Sequence, residues 1–167
     1  MTKSTDVHTT AATLYFLPLD ARLPLKFGRA ISGPSTASPL QSVSVRVRLR
    51  LEDARGRSAE GWGETPLGVQ WAWPSDVPLA ERQETLQKFC VELTHAWAAF
   101  AVRGHPVEIG HHFQQTELPR LLSRRNDRHP DSEAIPWLAA LVCCSAFDIA
   151  LHDAYGILHG LPVYETY

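Results

Sequence analysis

The 167-residue sequence predicts an α+β fold, a three-stranded antiparallel β-sheet followed by an α-helical bundle. Two observations carry that expectation. Over residues 42–52 apolar and polar side chains alternate without a fault, with Val43, Val45, Val47, Leu49 and Leu51 on one side and Ser44, Arg46, Arg48 and Arg50 on the other. Successive side chains of a strand point to opposite faces, so this is a strand with one buried and one wet face. From Pro78 onward the apolar residues recur at spacings of three and four instead, which is the helical period.

Taken in order, residues 1–12 are polar and carry no apolar core of signal-peptide length, so an irregular tail is expected. Residues 13–19, rich in aromatic and aliphatic side chains, read as a first strand; Pro18 marks it as an edge strand or breaks it. Leu23-Pro24-Leu25-Lys26-Phe27 extends it, and residues 28–39, with Gly33-Pro34 and several Ser, Thr and Ala, form a surface loop. The alternating strand then turns through 52–57, where Gly56 can take positive φ at no steric cost, into a shorter strand over 58–64 ending in Gly61-Trp62-Gly63-Glu64. A second loop, residues 65–75, holds Trp71 and Trp73 between Pro66 and Pro74. Two indoles are too much apolar surface to leave in water, so they either pack onto the domain's own core or close over a ligand or neighbouring domain.

Leu79, Leu86, Cys90, Leu93, Trp97 and Phe100 make the apolar stripe of a first long helix, capped by Ser75 or Asp76, with Pro78 in its first turn and Gly104 past its end. A second helix is expected from Val107 to about Ser123, kinked or ended early by Pro119. The last helix starts near Ala134 or Ile135, has Pro136 in its first turn, and runs through Leu158 or His159 to Gly160. Its run from Ile135 to Phe147 is apolar almost all round, which makes it the central, buried helix.

Sixteen basic against eighteen acidic side chains give a net charge of −2, and the arginines at 120, 124, 125 and 128 are diluted by leucines and an Asp. Nothing in that balance favours a nucleic-acid or membrane-surface partner. No apolar run is expected to reach the ~20 residues that a membrane span needs. Cys90, Cys143 and Cys144 make no disulfide framework, since neighbours on a helix point about 100° apart. Reduced thiols in a cytoplasmic protein are expected.

For chemistry, Asp148 and His152 lie four apart on the last helix with Asp153 beside them, a spacing that suits either a metal, an acid–base pair or one packing hydrogen bond. No third ligand stands at a suitable spacing, so the packing role is expected and a small metal-dependent hydrolase is disfavoured. His111 and His112 diverge on their helix and should face solvent. Gly61-Trp62-Gly63-Glu64 lacks the Lys-Ser/Thr end of a phosphate loop, and no Gly-x-Ser-x-Gly elbow occurs. The residues by themselves assemble no catalytic constellation.

Three stretches together resemble the N-terminal domain of the enolase superfamily, in the branch of mandelate racemase and muconate lactonizing enzyme. They are the first strand with Leu23-Pro24-Leu25, the alternating strand leading into Gly61-Trp62-Gly63-Glu64, and Ala146-Phe147-Asp148-Ile149-Ala150-Leu151-His152-Asp153 followed by Gly160-Leu161-Pro162-Val163-Tyr164. The likeness spans residues 13–164 in the family's order; His152 stands where the family most often has Trp. It implies a domain that caps a β/α barrel, supplied in cis or in trans, and whose loops close over a small carboxylate substrate. The barrel would hold Mg²⁺ on Asp and Glu residues and carry Lys or His bases for proton abstraction next to the carboxylate, in racemisation, cycloisomerisation or dehydration. Residues 165–167 would begin that barrel, which is missing, so no catalytic or metal-binding residue is carried over and no cofactor is expected on this chain itself. The substrate-facing candidates that the resemblance implies are Phe27 and Ser32 in the first loop and Gln70, Trp71 and Trp73 in the second. The competing expectation is a non-enzymatic module that self-associates into a homo-oligomer or binds a partner protein. Either way an apolar face should stand uncovered.

Overall fold

The computed structural model describes residues 5–20 and 41–166. Strands β1 (Val7–Asp20), β2 (Gln41–Asp53) and β3 (Ser58–Pro66) form one antiparallel sheet in the order β1-β2-β3. Helices α1 (Val69–Ala72), α2 (Leu79–Ala98), α3 (Pro106–Asp127) and α4 (Trp137–His159) follow, then a 3-10 turn at Val163–Glu165. The fold is α+β, a three-stranded antiparallel sheet and a helical bundle laid on one of its faces.

The alternation in β2 sets that arrangement. Val43, Val45, Val47, Leu49 and Leu51 are all buried against the helices. On the outer face Arg46 pairs with Glu64 at 2.7 Å and Arg48 with Glu60 at 3.4 Å, while the Arg48 guanidinium lies 5.8 Å from the Trp62 ring centre. Exposed pairs of this kind contribute ~0–1 kcal/mol each, so the inner face dominates the sheet's stability. At the hairpin the Asp53 carboxylate accepts from the Arg55 and Arg57 backbone N–H groups, each at 2.9 Å, and Gly56 takes φ 75°.

Residues 7–12 are strand and not tail. Val7 is fully buried and exchanges two backbone hydrogen bonds with Gly104, at 3.0 and 3.1 Å. The Thr9 hydroxyl reaches the carbonyls of Trp97 and Phe100 at the end of α2. A polar composition hid these long-range partners. Pro18 does not break β1; it sits opposite Val43 on an edge strand, where a missing N–H is tolerated. The expected extension over Leu23–Phe27 lies outside the described residues.

Pro119 neither ends nor shortens α3, which continues to Asp127. Leu118 and Leu121 are buried on either side of it, Pro119 itself faces solvent, and Arg125 ties the far end to Glu92 on α2 at 3.0 Å. The prolines at the other helix starts sit one position earlier than expected: Pro78 and Pro136 are the N-cap residues of α2 and α4. His105 caps α3 in a capping box with Glu108.

Helix α4 is the central element. Ala139, Ala140, Cys143, Ala146, Phe147, Ala150, Leu151 and Ala154 are buried, and the helix packs on β2, β3, α2 and α3. By length and composition alone α4 could cross a membrane, contrary to the expectation that no apolar run approaches that length. Its most apolar stretch is 61% buried within the chain, so its apolarity is accounted for by its place in the core. Around it, Trp97 stacks on Phe113 at 4.0 Å and lies parallel to Phe147 at 6.2 Å.

The contact of α4 with β3 explains both the Gly61-Trp62-Gly63 and the Ala146–Ala150–Ala154 patterns in packing terms. A Cβ on Gly61 would meet the backbone of Ala154 and Ala150, and one on Gly63 the backbone of Ala146 and Ala150. Glycines alternating on the strand thus face alanines every fourth residue on the helix, and the two backbones come together. Between them the Trp62 N–H donates to the Asp153 carboxylate at 2.7 Å, which occupies an otherwise free donor on this edge strand.

Candidate functional site at the loop end of the sheet

The register places both loops at one end. Asp20 pairs with Gln41, and Ser44 pairs with Pro66, so the connection from β1 to β2 and the segment after β3 leave the sheet together. Phe27 and Ser32 belong to the first connection and lie outside the described residues. Gln70, Trp71 and Trp73 are described, and the structure separates them.

What was expected as one loop over 65–75 is the end of β3, a left-handed Gly68 at φ 55°, and the single turn of α1. Leu67 continues the sheet by donating to the Val43 carbonyl at 2.9 Å. Gln70 and Trp71 are exposed, with Trp71 47% accessible; its indole lies across Gly68, where any side chain would strike the ring. Trp73 is only 3% accessible. The two indoles therefore divide the alternatives, one in the core and one at the surface.

Trp73 is held at both polar ends. Its indole N–H donates to Glu133 Oε1 at 2.9 Å, and its carbonyl accepts from the Arg82 guanidinium. The Ser75 hydroxyl donates to the other Glu133 oxygen and accepts from the Val77 N–H at 3.0 Å. The hydrogen bonds from Ser75 and Trp73 hold the Glu133 carboxyl below the usual range, against the effect of burial and with help from Arg82. Arg82 and Glu133 were not legible as partners of Trp73, since a charged residue outside the apolar pattern gives no periodic signal.

A cleft of about 350 Å³ lies at the β3 edge, lined by Arg46, Trp62, Gly63, Glu64 and Ile149. Glu64 accepts from Ser44 at 2.9 Å and from Arg46 at 2.8 Å; these bonds, Arg46 first, keep it well ionised. Its carboxylate is thus committed to the sheet surface.

The Asp148–His152 pair is structural in its contacts. His152 is 2% accessible, and its Nδ1 lies 2.9 Å from the Thr166 hydroxyl. Thr166 spends its one proton on the Val163 carbonyl at 2.6 Å, so His152 Nδ1 carries the hydrogen and donates. Burial lowers the imidazole's proton affinity, opposed by Asp148 and assisted by His105. Burial raises the Asp148 carboxyl, which packs against Gly110. His111 and His112 face solvent, and Cys90, Cys143 and Cys144 are free and buried. Among the described residues no three His, Cys, Asp or Glu side chains come together as a metal site. The donor set needed for Mg²⁺, several convergent oxygens, does not fit these residues.

No protein-family model matches the chain. No curated protein matches it either. Among solved structures, an enolase from Bradyrhizobium in complex with magnesium and mandelic acid aligns with 99% of this chain and 35% of its own, at 16% identity and a TM-score of 0.45. A protein from Sinorhizobium meliloti, provisionally described as an isomerase, aligns with 94% of this chain and 37% of its own, at 20% identity and a TM-score of 0.40. The chain spans little more than a third of the length of either protein.

Proposed function

We propose that this chain is the substrate-capping domain of an enolase-superfamily enzyme, in the mandelate racemase and muconate lactonizing enzyme branch. It acts together with a β/α barrel, in cis or in trans, and performs no catalysis alone. The observation that carries this is topological: both loop-bearing ends of the sheet emerge on one side, and Gln70 and Trp71 stand exposed there on a turn whose neighbour Trp73 is anchored in the core. A rigid base that presents an exposed turn beside the strand ends supports this role.

In such an assembly the barrel contributes Mg²⁺ and the bases for proton abstraction next to a carboxylate, giving a racemase, cycloisomerase or dehydratase. This chain's residues do different work. The Trp71 ring covers apolar parts of the substrate and excludes water, which strengthens charge interactions beneath it. The Gln70 amide offers an NH2 group that donates and a carbonyl oxygen that accepts, for orientation. In the enzyme formed with its barrel, Trp71→Ala should change the ratio of kcat/KM between two carboxylate substrates of different side chain by about tenfold. An unchanged ratio would remove this turn from substrate selection.

The second reading, a protein-binding module, draws support from Trp62, Ile149 and Ile157, which are 45%, 42% and 58% accessible. Ile149 and Ile157 are eight apart on α4, with Asp153 and its partner Trp62 between them, so the uncovered apolar surface runs along one side of the helix. A barrel or a second protein could each cover it.

A further inference from the structure

One helical turn cannot hold itself. Closing a first turn fixes several residues for one hydrogen bond, so the four residues of α1, opened by Gly68 with no side-chain cap, depend on contacts from elsewhere. Val69 and Ala72 supply buried surface, but neither supplies direction. Direction comes from the polar contacts just beyond the turn. A single carboxylate, Glu133 in the connection from α3 to α4, accepts from the Trp73 indole and from Ser75. Arg82, from the first turn of α2, grips the Trp73 carbonyl; it is 8% accessible and lies close enough to add its charge to the field at Glu133. Two later segments, one at the start of α2 and one between α3 and α4, therefore converge on the residue that follows α1.

We infer that Glu133 is a positioning residue for the Gln70–Trp71 turn: it fixes, through Trp73 and Ser75, the orientation in which that turn is presented. The inference deepens the capping role and rests on it for its consequence, since a turn held this way selects substrates by shape instead of adapting to each. Glu133 touches neither Gln70 nor Trp71 in any hydrogen bond described, so its effect is transmitted by the Trp73 ring and the backbone between them.

Amide hydrogen exchange on the isolated chain tests this without a barrel or substrate, so its failure is separate from failure of the capping role. The amides of Ala72 and Trp73 close α1, donating to Gly68 and Val69 at 3.0 Å each. In Glu133→Ala both should exchange about tenfold faster or more, while amides in the middle of α4 keep their protection. Glu133→Gln keeps an acceptor for the indole and should fall between wild type and Ala, and Ser75→Ala, which removes the hydroxyl's bonds to Glu133 and the Val77 N–H but leaves the indole bond to Glu133, should do the same. Unchanged exchange at Ala72 and Trp73 in Glu133→Ala would overturn the inference. So would a parallel acceleration throughout α4, which would make Glu133 a general stabiliser.

Discussion

Replacing Gly63 by alanine probes the contact on which the whole domain is built. The added Cβ would lie 2.7 Å from Ala150 N and 2.9 Å from Ile149 Cβ, with the Ala146 carbonyl oxygen nearer still. Ordinary contact begins at 3.4 Å, so strand and helix must part by about 0.7 Å at Ala150 and by more at Ala146. The nearest obstacles are helix backbone, which cannot rotate aside as a side chain would. A gap of ~0.5–1 Å forfeits a quarter to a half of each dispersion contact along the seam. The cost should therefore reach the upper end for overpacked sites, ~3 kcal/mol, or a fall in Tm of about 6–12 °C for a chain of this size. Gly56→Ala is the control: φ 75° strains any side chain, but nothing lies within 4 Å, so it should cost only ~1–2 kcal/mol. Urea unfolding of both variants supplies the comparison. Adding Ala150→Gly to Gly63→Ala should restore nothing, because the clash is with the helix backbone and not with the alanine methyl. A Gly63 variant no less stable than the Gly56 variant, or one rescued by Ala150→Gly, would refute the account of the seam.

Two further outcomes follow from buried titratable groups. The folded-state value of His152 lies below the ordinary 6.5, so its contribution to stability is full above 6.5 and is lost as pH falls from there through the folded value. Asp148, raised above 3.8, acts in the opposite sense, gaining stability as pH falls through its folded value. The urea midpoint should drop between pH 7 and pH 5 by an amount that His152→Gln reduces, and an identical slope in the variant would show that another group controls it. For the thiols, burial pushes Cys144 up to about 12, and Cys143 is raised well above its usual value by its hydrogen bond with Cys90 and by burial. A disulfide reagent at pH 8 should label none of the three buried cysteines in the native chain and all three in urea; rapid native labelling would contradict the packing around α4.

The sheet and the long helices were legible because each rests on a local signal. The faultless alternation in β2 admits one register, and the apolar stripe from Leu86 to Trp97 admits one helix face. What stayed hidden depended on distant partners. Val7 is a strand residue because Gly104 pairs with it, and α3 passes through Pro119 because Leu118 and Leu121 are anchored on both sides. Of the candidate site, the tryptophan-bearing segment was visible as excess apolar surface between prolines. Its division into a buried Trp73 and an exposed Trp71 was not, since Glu133 lies 60 residues away in sequence. Gly61, Gly63 and the Ala146–Ala150–Ala154 ladder could be read as motifs, yet only their apposition gives the reason for those residue types.

The proposed partnership with a barrel is tested most directly by reading the coding DNA beyond the Tyr167 codon and in the neighbouring frame. A capping domain predicts an encoded β/α barrel there, with a Lys-x-Lys pair and spaced Asp and Glu residues able to hold Mg²⁺. A stop codon with no barrel encoded in either place would contradict the enzyme role, and would leave the apolar face at Trp62, Ile149 and Ile157 to a partner of another kind.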